Sequence, residues 1–164
     1  MLSPDRPRHY EIDLADERQT ARLGAAMAPL LGPGDTVLLR GELGAGKSAL
    51  ARAVIAAALA DPQAEIPSPS YTLVNIYQTA RGPVWHADLY RLSGAAEEIE
   101  ELGLAEAVGD ALVLVEWPER LGKTLPEHRL DIALSAPPAG GRLATITLHG
   151  PGWSAVANLL EGWR

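Results

Sequence analysis

The sequence predicts an α/β protein in which a mostly parallel central sheet lies between layers of helices and closes with an antiparallel C-terminal hairpin. Three observations predict it. A short apolar run, Val37-Leu38-Leu39, leads into the glycine-rich stretch Gly41-Glu42-Leu43-Gly44-Ala45-Gly46-Lys47-Ser48, and a helical pattern follows at once. Ala111-Leu112-Val113-Leu114-Val115 is continuously apolar and stops at Glu116, as a strand buried on both faces does. Residues 129–134 and 143–148 flank Pro137-Pro138-Ala139-Gly140-Gly141 and read as a terminal hairpin.

The glycine-rich stretch has the spacing G-x-x-x-x-G-K-[ST], and its place between strand and helix predicts a three-layer P-loop NTPase fold. Gly41, Gly44 and Gly46 let the backbone curl so that successive N–H groups point at a polyphosphate. The helix that follows aims its first donors at the same anion. Lys47 can reach the β- and γ-phosphates, and the Ser48 hydroxyl can complete the shell of a Mg²⁺ ion. The competing reading, a glycine-rich turn with an exposed lysine, does not explain the flanking pattern.

The remaining elements follow in chain order. His9-Tyr10-Glu11-Ile12-Asp13-Leu14 alternates and predicts a strand. Asp16 is placed as an N-cap with Gln19 three residues on, the spacing of a capping box. Leu23, Met27, Leu30 and Leu31 mark the buried side of a helix that Gly32-Pro33-Gly34 stops. After the loop a helix is predicted over 47–60, with Leu50, Val54, Ile55 and Ala58 at helical spacing and Asp61-Pro62 ending it. Ile66-Pro67-Ser68-Pro69-Ser70 excludes helix and predicts a stiff extended loop. Strands are expected over 71–77 and 84–88, around the turn Arg81-Gly82-Pro83, and then a short acidic helix, Glu97-Glu98-Ile99-Glu100-Glu101-Leu102. That charge run is either a solvated face or a docking surface for a basic partner. A helix over 155–160 ends the chain. With no internal repeat and no long linker, residues 1–164 are expected to form one domain.

Composition narrows the class. At 47% hydrophobic and 21% charged, 164 residues can bury a real core. The absence of Cys excludes a disulfide framework, a thiolate metal site and a cysteine nucleophile. No apolar run approaches the ~20 residues of a membrane-spanning helix, and Met1-Leu2-Ser3-Pro4-Asp5-Arg6-Pro7 carries no signal-peptide core. A cytoplasmic protein with no membrane contact is therefore expected. A net charge of −7 argues against a free-standing nucleic-acid binder, while leaving open action on RNA through a partner that supplies positive charge.

A phosphate loop alone only grips; hydrolysis also needs the metal's second side and an aimed water. Glu116 is the candidate for the metal side, because an acid at the carboxyl end of a central strand sits where open α/β sheets bind ligands. The alternative is a carboxylate hydrogen-bonded to neighbouring backbone. Asp88, ending Val84-Trp85-His86-Ala87-Asp88, either orients the water, binds metal through water, or caps the turn at Leu89-Tyr90-Arg91. His86 is read as a strand residue with a packing or hydrogen-bonding role. Arg91 and Arg120 either neutralise phosphate or sit on a solvated surface. Ser68, Ser70 and Thr72 lie on the stiffened loop, where hydroxyls can sense a γ-phosphate as switch segments do.

Together these segments resemble one family, TsaE (YjeE), the bacterial ATPases of tRNA threonylcarbamoyladenosine biosynthesis. The phosphate loop is shared widely. The ordered set that follows it is much more specific: Ser68-Pro69-Ser70-Tyr71-Thr72-Leu73-Val74, His86-Ala87-Asp88-Leu89-Tyr90-Arg91-Leu92, the acidic run to Gly103, and Leu114-Val115-Glu116-Trp117-Pro118-Glu119-Arg120. The resemblance implies Mg²⁺ at Ser48 and Glu116, and ATP contacts along Glu42, Leu43, Gly44, Ala45, Gly46, Lys47 and Ser48. It implies catalytic roles for Lys47, Asp88 and Glu116, with Trp117 beside the metal acid and Asp16 and Glu17 at the adenine end. It also implies a slow ATPase working with TsaB and TsaD, meeting tRNA only through that complex, and resetting it between cycles of carbamoyl transfer to adenosine 37. Ser48 and Ser70 stand where Thr is commoner, Glu42 where Asp is, and Ala87 where a bulky apolar residue is. The match is loose in the last third, which bears on Arg142 near the nucleotide.

Two other readings remain. A small-molecule P-loop kinase lacks support, because no arginine-rich lid segment is present. An ATP-dependent interaction module with incidental hydrolysis fits the same motifs. A GTPase would need an N-K-x-D segment, which is absent, and Leu92-Ser93-Gly94 lies too soon after the loop for an ABC-transporter ATPase.

Overall fold

The structure, a computed structural model, describes residues 6–164, so the first five residues of the leader reading lie outside the described residues. Seven strands form one sheet: β1 (Arg8–Leu14), β2 (Thr36–Arg40), β3 (Val74–Thr79), β4 (Gly82–Asp88), β5 (Leu112–Glu116), β6 (Arg129–Ser135) and β7 (Arg142–His149). Their spatial order is β1-β7-β6-β2-β5-β4-β3. The inner four, β6-β2-β5-β4, are parallel. Antiparallel pairing extends beyond the terminal hairpin, to β1 on one edge and β3 on the other.

The helices are α1 (Glu17–Met27), α2 (Lys47–Ala58), α3 (Ala96–Glu101), α4 (Leu104–Ala107) and α5 (Ser154–Glu161). Alternation along each inner strand divides the core between two faces. Val37 and Leu39 of β2, Leu112 and Leu114 of β5, and Leu130, Ile132 and Leu134 of β6 pack with α1, α2 and α5. Leu38, Val113, Val115 and Ala87 point the other way, onto Leu104 and Ala107 of α4. On that second face β6 and β7 carry a polar network instead, with Asp131 accepting from Arg40 and Arg129 and paired with His149 at 3.1 Å.

Local signals account for the helices near the loop. The Asp16 carboxylate accepts from the Gln19 N–H at 3.0 Å, capping α1. Thr20, Leu23, Gly24 and Met27 then bury one stripe of α1. Gly24 lies against α2 so closely that a Cβ there would stand 2.7 Å from the Ala53 Cβ.

The structure moves several predicted boundaries. α2 ends at Ala58 rather than residue 60, because Ala60 turns left-handed (φ +53°) ahead of Asp61-Pro62. The strand expected from residue 71 begins at Val74. Leu73 is left-handed (φ +68°) and its N–H donates to Pro69 O, so residues 69–73 close a tight turn that leaves Tyr71 87% exposed. Short α4 and a 3-10 turn at Pro118–Leu121 were not expected. No helix of the described residues is long and apolar enough to cross a membrane.

Candidate functional site

Strand register builds the site. Leu39 of β2 and Asp88 of β4 both lie level with Glu116 of β5, at the carboxyl ends of the parallel strands. His86, two residues before Asp88, points to the same face and is level with Leu114. Glu116, Asp88 and His86 therefore converge beneath the start of α2, where the loop delivers Lys47 and Ser48.

The loop itself is curled by Gly41, Gly44 and Gly46, at φ +144°, +80° and +107°. At Gly41 a side chain is also excluded by space, since a Cβ would come within 2.5 Å of Leu134 O. Lys47 is nearly buried; its ammonium donates to Gly41 O (2.6 Å) and Glu42 O (2.8 Å) and stands 4.3 Å above the Trp117 ring. Burial pushes the Lys47 pKa down, against the pull of Glu116, Asp88, Glu119 and Glu42. From the far side Arg142 donates to Ala45 O and Gly44 O, each at 3.1 Å, bracing the loop's crest.

Glu116 is 1% exposed and fully engaged. Ser48 Oγ donates to its Oε1 at 2.7 Å, and His86 Nε2 lies 2.6 Å from its Oε2. Burial alone would raise its pKa; the hydrogen bonds from His86 and Ser48, with the charges of His86 and Lys47, outweigh that and hold the carboxyl below its ordinary value. Asp88 is shifted the other way. Burial raises it, opposed by the Tyr90 N–H bond to Oδ1 at 3.0 Å and reinforced by the charge of Glu116. Ser70 Oγ reaches Asp88 Oδ2 at 3.5 Å and lies 2.7 Å from Ser68 Oγ, so the stiffened loop does meet the acid. Thr72 turns away, to Asn75.

Lys47, Ser48, Ser70, Asp88 and Glu116 line a cleft of about 300 Å³ that also includes Glu17, Leu43, Gly44, Gly46, Arg52 and Tyr90, with His86 buried behind Glu116. Leu43, Gly44 and Trp117 separate it from a second hollow of about 840 Å³, lined by Glu42, Ala45, Glu119, Ser135 and Arg142. Trp117, in a left-handed conformation (φ +60°), thus stands between the two and packs on Tyr90. Asp16 spends its carboxylate on the helix cap, while Glu17 reaches the cleft. Arg91 and Arg120 donate to backbone oxygens, of Ser70 and Tyr90. Sequence reasoning overlooked Arg52, one helical turn beyond Ser48 on the cleft side of α2; its i+4 spacing was the available signal.

The family model described as "Threonylcarbamoyl adenosine biosynthesis protein TsaE" matches residues 14–143. The chain belongs to the TsaE family. Proteins named tRNA threonylcarbamoyladenosine biosynthesis protein TsaE are similar to it. The one from Rickettsia felis is 37% identical, over 81% of this chain and 77% of its own length. That from Streptomyces coelicolor is 36% identical, over 85% and 98%. The crystal structure of YdiB from Bacillus subtilis superposes with a TM-score of 0.76 at 26% identity, covering 95% of this chain and 96% of that one. The TsaE match spans the phosphate loop, the Ser68–Ser70 turn, Asp88, Glu116 and Trp117.

Proposed function

We propose that this protein is a Mg²⁺-dependent ATPase of the P-loop NTPase class, serving the machinery that installs N6-threonylcarbamoyladenosine at position 37 of tRNA. Its partners in this reading are TsaB and TsaD, and ATP hydrolysis resets their complex between cycles. The observation that carries the reading is the Ser48–Glu116 contact at the mouth of a glycine loop that also presents Lys47. Two hard oxygens converge there, and the carboxylate is held ionised, a donor set that suits Mg²⁺. Among the described residues no three His, Cys, Asp or Glu side chains gather as a metal cage.

Ser48 Oγ and Glu116 Oε1 would hold Mg²⁺, which supplies charge neutralisation on the β- and γ-phosphates when bound. The chain's own groups do the rest. The N–H groups of residues 44–48 and the first turn of α2 cradle the polyphosphate. Lys47 leaves its carbonyl partners for phosphate oxygens. Asp88, beside Glu116 and linked to Ser70, orients the attacking water. Glu17, with Asp16 behind it, marks the adenine end, and Trp117 walls the phosphate path.

The test is ATP hydrolysis by the purified protein, alone and with the TsaB–TsaD pair, with and without Mg²⁺. Slow turnover alone, stimulated by the pair and abolished by chelation, is the expected result. Fast turnover that ignores the pair would overturn the resetting role and favour a kinase with an unidentified acceptor.

A further inference from the structure

We infer that His86 is a positioning residue that fixes which oxygen of Glu116 is presented to the metal; this rests on the ATPase reading above. His86 is 0% exposed, and its Nε2 lies 2.6 Å from Glu116 Oε2. A carboxylate only accepts, so Nε2 carries the proton and donates. Among the described residues the other ring nitrogen, Nδ1, is buried with no partner. Leaving a buried polar atom unmatched costs about 1–3 kcal/mol, and nothing in packing calls for it. Val84, two residues earlier on the same strand and the same face, is apolar. Among the described residues the one polar contact the ring makes is with Glu116.

The geometry assigns that contact a consequence. Glu116 has two oxygens and two kinds of neighbour. With Oε2 tied to the imidazole beneath the sheet's edge, Oε1 is left facing Ser48 and the loop. Remove the donor, and the carboxylate can rotate towards the Lys47 ammonium, whose charge also acts on it. An acid turned that way no longer presents Oε1 to the metal. Metal ligands held by such outer hydrogen bonds lose affinity when the outer partner is removed.

The test uses His86→Leu, which lacks a donor; His86→Gln, whose amide N–H falls near the native Nε2; and His86→Asn, whose amide falls short, near Nδ1. Glu116→Gln serves as reference. The readout is the Mg²⁺ concentration at half-maximal binding of a fluorescent ATP analogue, beside its affinity in EDTA and the melting temperature of each variant. His86→Leu and His86→Asn should raise the Mg²⁺ midpoint roughly tenfold or more, with affinity in EDTA within about twofold, and His86→Gln should restore most of the loss. In the Glu116→Gln background, His86→Leu should shift the midpoint no further. If His86→Leu does not fold, the Gln and Asn pair decides the matter alone. An unchanged midpoint in His86→Leu or His86→Asn, Gln no better than Asn, or a full further shift in the Glu116→Gln background would overturn the inference. If Glu116→Gln itself leaves the midpoint unchanged, the metal role of Glu116 falls first, and the failure lies with the ATPase reading.

Discussion

Replacing Arg142 with Ala tests whether the phosphate loop is braced from outside. The side chain crosses from the first residue of β7 and donates Nε to Ala45 O and Nη2 to Gly44 O, each at 3.1 Å. Hydrogen bonds from a charged donor contribute about 1.5–3 kcal/mol when buried. Arg142 is only half-buried and water replaces part of each bond, so about 2 kcal/mol for the two together is a fair figure. Those carbonyls belong to the residues whose N–H groups must face phosphate, so the loss falls on loop order and hence on binding. About 2 kcal/mol corresponds to roughly 30-fold weaker ATP binding. Equilibrium titration with a fluorescent ATP analogue reads this directly, and a thermal melt without nucleotide separates it from global unfolding. Arg142→Lys keeps the charge but cannot span both carbonyls, so it should recover less than half of the loss. Affinity within twofold of the parent in Arg142→Ala would refute the bracing argument. Full recovery by Lys would replace it with simple charge attraction.

The other predictions concern the cleft. Lys47→Ala should weaken ATP binding by about 2–3 kcal/mol, or roughly 30- to 150-fold, while leaving the fold intact by circular dichroism. Asp88→Asn should spare ATP binding, cut turnover at least tenfold, and flatten the acid limb of the pH–rate profile. In the parent that limb should lie above the ordinary Asp value, because burial raises the Asp88 pKa and the proposed role needs the ionised form. The same shift predicts a stability gain. A raised folded-state pKa contributes stability at low pH that is lost as pH rises through it, so Asp88→Asn should melt higher than the parent at neutral pH and equal to it in acid. Glu116 has the opposite sign. Its lowered pKa contributes stability above the ordinary carboxylate value that is lost as pH falls. Urea midpoints should therefore show parent and Glu116→Gln well apart at pH 7, with the gap closing only below the ordinary carboxylate value, as pH falls through the lowered pKa; a constant gap would argue against the buried pairing.

Much of the fold was legible because its signals are local. The Asp16 cap, the stripe from Leu23 to Met27, the loop glycines and the apolar run of β5 each state their structure within a few residues. The misplaced elements are those decided at a distance. Tyr71-Thr72-Leu73 has strand-like composition, yet a backbone bond to Pro69 turns it out of the sheet. α4 is four residues long and holds because Leu104 and Ala107 find the apolar face of β5. In the site, Lys47, Ser48, Asp88 and Glu116 were legible as a phosphate motif and two strand-end acids. His86 was read only as packing or hydrogen bonding, because its partner depends on β4 lying parallel beside β5, which no local pattern states. Arg142 was named only through the family resemblance, because the carbonyls it braces lie almost a hundred residues earlier in the chain, and Arg52 was missed because the phosphate motif ends a helical turn before it.

The strand register at the site bears on the fidelity of folding. Glu116 is level with both Leu39 and Asp88 through backbone ladders, and the same strands alternate between two apolar faces. Sliding β5 by one residue would put Val115 beside Asp88, and in the same motion would turn Leu112 and Leu114 out of one core and Val113 and Val115 out of the other. A scrambled site and a collapsed interior are thus one event. No stable, soluble species with a misaligned site should accumulate, so nucleotide-binding stoichiometry measures the folded fraction of a preparation. For the same reason the acid's position can change through substitution but not through slippage of the strand that bears it.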